Sequence, residues 1–194
     1  MLGRLREKYE NAMSPLGRIL GNLGLSPNAL SIVAALMSLG AAMLYFRGTA
    51  LLGGAALIGS AFVDMLDGAV ARATGSTSRF GAVLDHVLDR YVEYAVIVGI
   101  VAGGFVSWFW GVFALIGMIL ASYSRAAAES IGGLESCTVG IAERQEKLLL
   151  ILAGSALVGV WTNALEYAVI TVGAVSHVTV GQRLLYTRRK TKVP

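Results

Sequence analysis

About six stretches of roughly 20 predominantly apolar residues follow one another along this chain, joined by short polar connections, and that succession leaves few folds open. A hydrocarbon core about 30 Å thick is crossed by about 20 helical residues at 1.5 Å each. Inside it no water satisfies a free backbone N–H or C=O, so only helices or a closed barrel can cross, and segments of this length are helices. With 56% hydrophobic and 14% charged residues among its 194, the chain has too few polar side chains to cover a water-soluble domain. The expected fold is an all-α membrane protein, a six-transmembrane-helix bundle with an N-terminal amphipathic interfacial helix. The spans read as 27–46, 50–73, 80–103, 107–128, 144–162 and 164–185. Residues 1–23 form the interfacial helix, 24–187 the six-span domain and 188–194 a basic cytoplasmic tail.

In the leader, Leu2, Leu5, Tyr9, Met13, Leu16, Leu20 and Leu23 recur at helical spacing with Arg4, Arg6, Lys8 and Arg18 between them. That pattern suits a helix lying in the headgroup region, and it lacks the continuous apolar core of a cleavable signal. Ser14-Pro15 and Ser26-Pro27 each read as an N-cap followed by proline at the first helical position, so helices are expected to begin at 15 and at 27. Lysine and arginine collect on the cytoplasmic side of short connections. With the N-terminus inside, the exterior connections fall near 47–49, 104–106 and 161–163, and of the 16 basic residues only Arg47 lies among them. The expectation is a multi-pass cell-membrane protein with both termini and the active site on the cytoplasmic side. The basic clusters at the ends meet anionic membrane lipids, and nothing directs them to nucleic acid. Trp108, Trp110 and Trp161 stand where exterior interfacial anchors belong. Gly99-x-x-x-Gly103 permits close approach of two helices. Cys137, the only cysteine, excludes an internal disulfide.

All four aspartates, Asp64, Asp67, Asp85 and Asp89, fall within 26 residues of this apolar background. A carboxylate at mid-membrane costs about 2.5–3.5 kcal/mol on insertion scales, so four together demand a compensating partner. Asp64 and Asp67 at i,i+3 share one helical face, as do Gly81, Asp85 and Asp89 at i,i+4 steps. The short 74–79 turn makes the two helices antiparallel neighbours, which brings the four carboxylates to a similar depth near the cytoplasmic end. An all-oxygen ligand set suits Mg²⁺, with Mn²⁺ as the alternative, and two such ions about 3.5–4 Å apart can clamp a pyrophosphate for in-line displacement at phosphorus. Gly68 and Gly81 leave room for a ligand near the backbone, and Arg72 offers a planar fork for phosphate. The plainer alternative is a set of interhelical ion pairs with Arg72, Arg79 and Arg90. Glu93 lies on the face of Asp89, one turn on. His86 and His177 read as polar fillers.

The string Asp64-x-x-Asp67-Gly68-x-x-Ala71-Arg72, followed after eight residues by Gly81-x-x-x-Asp85-x-x-x-Asp89, resembles the signature of the CDP-alcohol phosphotransferases at every position. The resemblance implies a small six-span protein, usually dimeric, in which an alcohol hydroxyl displaces CMP from a CDP-linked lipid in phospholipid biosynthesis. It implies Asp64, Asp67, Asp85 and Asp89 as metal ligands and Asp89 as the base for the acceptor hydroxyl. Contacts to the CDP-lipid donor would come from Asp67, Gly68, Ala71, Arg72, Ser78 and Gly81, and from Pro27, Asn28, Ala29 and Leu30 at the start of the first span.

Arg125, Arg144 and Arg183 all fall at the cytoplasmic mouth on this topology, and three guanidinium groups at one opening suit an anionic acceptor. These segments resemble the branch of the family that uses inositol phosphate, which implies the three arginines as its phosphate ligands; glycerol 3-phosphate is the alternative acceptor. CDP-archaeol and CDP-diacylglycerol both remain open as donor. A cation or proton transporter is the competing class, and it predicts carboxylates spread across the membrane in pseudo-symmetric halves. Here they stay on one side.

Overall fold

The computed structural model of the protein describes residues 13–191; residues 1–12 of the expected interfacial helix and 192–194 of the expected tail lie outside the described residues. Seven helices account for most of the described residues: α1 (13–22), α2 (Pro27–Phe46), α3 (Ala50–Thr74), α4 (Arg79–Ala102), α5 (Trp108–Ser130), α6 (Arg144–Leu157) and α7 (Ala164–Lys190). Four of them, α2, α3, α5 and α7, are long and apolar enough to cross a membrane. Helix α4 has the length but carries Arg79, Asp85, Asp89, Arg90 and Glu93. Helix α6 has only 14 residues, about 21 Å of rise, and falls short of the expected span 144–162. Its last turn unwinds at 158–163, where Val160 and Trp161 N–H groups both return to the Leu157 carbonyl. At the other end α7 continues to Lys190, so Arg188, Arg189 and Lys190 of the expected tail close a helix, where cations complement the dipole.

The local start signals divide. Ser26 caps α2, its hydroxyl accepting from Ala29 N–H at 3.2 Å, with Pro27 at the first helical position. Helix α1, by contrast, is already running at residue 13, so Ser14 starts nothing; its hydroxyl accepts from Arg18 four residues on. Between α3 and α4, Gly75 takes φ +66° and its N–H returns to the Ala71 carbonyl, a left-handed C-cap that frees the chain to turn. Ser78 then caps α4, accepting from Gly81 N–H at 2.9 Å.

Helix α2 is the centre of one half of the bundle. Both α3 and α4 pack along it, and the helices expected as antiparallel neighbours make little direct contact with each other. The reason is visible at Gly99 and Gly103, where an added Cβ would run into the backbone of Ala42 and Tyr45 of α2. The small-residue pair thus brings α4 onto α2 within one chain. Helix α5 packs on α7, and α6 packs on α7 and α3. Tyr45, fully buried, donates to or accepts from Ser155 of α6 at 2.7 Å and pins the two halves together in the same cluster as Ile97, Ile100 and Leu165. Met13 and Leu20 of α1 pack over Leu30, Leu66 and Val70, and Gly17 lies against the Ala69 carbonyl, so α1 covers the end of α3 nearest the aspartates. Large side chains such as Leu36, Leu51, Phe109 and Leu184 point outward, as a lipid-facing surface requires. Trp108 and Trp161 stand at the opposite end of the bundle from the aspartates, Trp161 stacked on Tyr167 at 5.2 Å.

Candidate active site

Helical periodicity places Asp64 and Asp67 on one face of α3, and Asp85 and Asp89 on one face of α4. Although the helices scarcely touch, they converge here: one carboxylate oxygen from each of Asp64, Asp67 and Asp85 lies within 4.8 Å of the others. Three anionic oxygens at such separations repel one another unless a cation stands among them. The donors are all carboxylate, drawn from two helices, and half-buried. The residues present therefore fit a hard divalent cation.

Asp89 is the exception to the cluster. Its Oδ1 receives Arg144 Nη2 at 2.7 Å, while Arg144 Nη1 donates to Asp64 Oδ2 at 3.0 Å. One guanidinium from α6 thus bridges the α3 and α4 aspartates. The expected ion-pair partners Arg72 and Arg79 form no pair with an aspartate among the described residues, and Arg90 approaches Asp89 only at 3.9 Å while sitting 2.8 Å from Glu93. His86 lies 3.9 Å from Asp85 with its ring largely exposed. His177 stacks on Phe113 and reaches its carbonyl at 3.1 Å, a polar link between α5 and α7.

The residues expected to contact a CDP-lipid fall in two local groups, one around Gly81 and one around Gly68. Asn28, in the first turn of α2 after Pro27 and before Ala29 and Leu30, lies close to Gly81: a Cβ there would stand 3.2 Å from Asn28 Oδ1 and 3.0 Å from Ser78 Oγ. Gly81 is thereby kept small. Arg72 folds back over Gly68, its Nη1 3.1 Å from where a Cβ would be, and Ala71 supplies the carbonyl that ends α3. Ser78 Oγ is engaged as the α4 cap.

Arg125, Arg144 and Arg183, the arginines expected to hold an acceptor phosphate, each have partners of their own. Arg125 pairs with Glu129 at 3.1 Å, and the same Glu129 oxygen accepts from Cys137 N–H at 2.9 Å. Arg183, buried, donates through Nε to the Val139 carbonyl at 2.9 Å and through Nη1 to the Ala121 carbonyl. It ties the connection to α5 and retains three of its five N–H donors. Glu143 and Glu146 form a reciprocal capping box, which fixes the start of α6 and with it Arg144.

Several polar contacts in the site escape a reading of the sequence. Ser31 donates from α2 to Asp67 Oδ2 and orients that carboxylate. Arg90 donates to Ser122 of α5. Lys147 is buried one turn into α6. Their only sequence signal is that each is polar in a span, one turn from a residue already singled out.

The family profile described as CDP-alcohol phosphatidyltransferase matches residues 24–181 of this chain. The archaetidylinositol phosphate synthase of Pyrococcus horikoshii is 36% identical over 190 residues, covering 98% of each chain. Among solved structures, the Mycobacterium tuberculosis phosphatidylinositol phosphate synthase with CDP-DAG bound superposes with a TM-score of 0.82 at 30% identity, covering 90% of this chain and 92% of that one. The same enzyme in complex with manganese and citrate gives a TM-score of 0.82 at 30% identity, over 91% and 88%. The helical composition, the aspartate cluster and these likenesses have one common reading: this multi-pass membrane protein is an enzyme of the CDP-alcohol phosphatidyltransferase family.

Proposed function

We propose that the protein transfers the phospholipid group of a CDP-linked lipid to a hydroxyl of inositol phosphate and releases CMP. The observation that carries this reading is the convergence of Asp64, Asp67 and Asp85 on one point, with Asp89 and an arginine beside it. Full-length similarity to an archaetidylinositol phosphate synthase supports the acceptor, and likeness to an enzyme solved with CDP-DAG supports a CDP-lipid donor. The donor is CDP-archaeol or CDP-diacylglycerol.

Asp64, Asp67, Asp85 and Asp89 would hold two divalent ions, Mg²⁺ or Mn²⁺; likeness to an enzyme crystallised with manganese supports this. When bound, the ions neutralise the pyrophosphate and stabilise the charge on departing CMP. Asp89 removes the proton from the attacking hydroxyl. Its Oδ2, with no ion-pair partner nearer than Arg90 at 3.9 Å among the described residues, takes that proton. The hydroxyl oxygen bonds to the lipid-side phosphorus as the bond from that phosphorus to the CMP oxygen breaks. Arg72, folded over Gly68, offers a guanidinium to the donor's phosphates, and Asn28 and Gly81 shape the floor where the nucleotide rests. Arg125, Arg144 and the unused donors of Arg183 receive the acceptor phosphate. Six membrane crossings fit this reading if α4 and the short α6 span inside the bundle, where their charges face one another. Both termini and the site then lie on the cytoplasmic side, with α1 in the headgroup layer and the protein a homodimer.

The test is CMP release by purified protein with Mg²⁺, CDP-archaeol or CDP-diacylglycerol, and a panel of inositol 1-phosphate, glycerol 3-phosphate, inositol and serine. Inositol phosphate should be preferred. Preference for glycerol phosphate would overturn the acceptor, and no release with any of them would overturn the reaction.

A further inference from the structure

Beneath the aspartates, toward the middle of the bundle, five helices enclose a cavity of about 50 Å³. Its wall is mainly apolar, yet Glu93 of α4 and Arg144 and Lys147 of α6 line it together with Ser38 and Ser60. The Glu93 side chain is 9% exposed and Lys147 is 5% exposed. Arg90 Nη1 comes within 2.8 Å of Glu93 Oε2, but off the direction a hydrogen bond needs, so neither Glu93 oxygen has a hydrogen-bond partner among the described residues. The proposed reaction uses neither Glu93 nor Lys147.

Their placement follows that of the active-site pair. Glu93 lies one turn from Asp89 on α4, and Lys147 one turn from Arg144 on α6. Two carboxylates of α4 and two cations of α6 therefore stand in successive layers, Asp89 with Arg144 at 2.7 Å and Glu93 with Lys147 around the cavity below, while Arg90 flanks both carboxylates at 3.9 and 2.8 Å. The backbones of α4 and α6 make few close approaches, so the long charged side chains reach across the gap beside the apolar cluster that Val96 and Ile151 share. Cations in the first turn of a helix oppose its dipole, which leaves the facing carboxylates as the reason they can be buried there. The cavity has room for a water, the five polar side chains on its otherwise apolar wall supply the partners a water needs, and water bridges opposite charges that do not meet directly.

We propose that Glu93 and Lys147 are positioning residues, a water-joined charge pair that sets where Arg144 stands between Asp64 and Asp89. With Glu93 neutralised, Lys147 turns to the remaining carboxylate Asp89 and competes with Arg144. With Lys147 neutralised, Glu93 draws Arg144 down from Asp64. Neutralising both removes the competition. The kinetic consequence rests on the transferase reading; the coupling of the two charges does not.

The experiment compares the wild type with Glu93→Gln, Lys147→Met, the double variant and Glu93→Asp, measuring kcat, the KM of donor and of acceptor, and thermal unfolding of the full chain. Each neutral single variant should lower kcat about 10- to 100-fold, the scale set by small misplacements of reacting groups, with donor KM unchanged. Glu93→Asp should retain most activity, and the double variant should exceed both neutral singles because the two residues act as a unit. Multiplicative losses in the double variant, or variants that unfold earlier yet turn over normally, would overturn the proposal. If the wild type releases no CMP, the transferase reading falls and unfolding decides the pair: non-additive stability changes at 93 and 147 support it, and additive ones overturn it.

Discussion

Arg144→Gln is the most informative single perturbation, because this guanidinium is, among the described residues, the one cation found between aspartates of different helices. Breaking a buried ion pair by removing one partner costs about 3–5 kcal/mol, since the stranded charge stays behind. Here the Arg144 side chain is 34% exposed, and Asp64 and Asp89 are 22% and 11% exposed, so water reaches part of the stranded charge and the expected loss falls to about 2 kcal/mol. For a chain of this size that corresponds to about 4–8 °C in Tm when a chelator removes divalent ions. Adding Mg²⁺ should then stabilise the variant more than the wild type, because the guanidinium and the ions compete for the same Asp64 and Asp89 oxygens; saturation at 100 times Kd is worth about 2.7 kcal/mol. The assay is thermal unfolding in detergent with chelator and across a Mg²⁺ series. Equal Mg²⁺ gains in both proteins, or a variant as stable as the wild type in chelator, would refute the competition. In the activity assay the same variant should raise the KM for inositol phosphate.

Asp89→Asn should abolish CMP release while CDP-lipid binding, measured by calorimetry, is largely kept; equal loss of both would count against its role as base. Ser31→Ala removes the hydroxyl that orients Asp67, and Mn²⁺ affinity should fall about 10- to 100-fold, with an unchanged affinity placing Ser31 outside the site. Gly103→Val puts a Cβ against the Tyr45 backbone carbonyl, which has nowhere to move. It should destabilise the protein by about 1–3 kcal/mol or more, visible as a lowered Tm with no change in the KM of the folded fraction.

What could be read from the sequence concerns relations within a turn or two of one helix. Asp64 with Asp67, and Gly81 with Asp85 and Asp89, share faces because 3.6 residues make a turn, whatever surrounds them. Ser26-Pro27 foretells a helix start for an equally local reason. Ser14-Pro15 carries the same signal and misleads, because its neighbours already continue a helix packed over Leu66 and Val70. The acidic cluster was legible because all four aspartates fall within 26 residues.

Contacts between distant residues were not legible. Arg144 reaches Asp64 across 80 residues and Ser31 reaches Asp67 across 36, and no periodicity relates such positions. Arg183 illustrates the same limit: its charge suggested a ligand for phosphate, and the Val139 carbonyl of the 131–143 connection and the Ala121 carbonyl of α5 claim two of its donors. Glycine at 99 and 103 announced a close helix approach, and only packing named α2 as the partner. Local spacing along the chain thus determines which side chains a helix presents together, while assembly of the bundle decides which cation meets which carboxylate, because buried charges must be paired by whatever element the fold brings within reach.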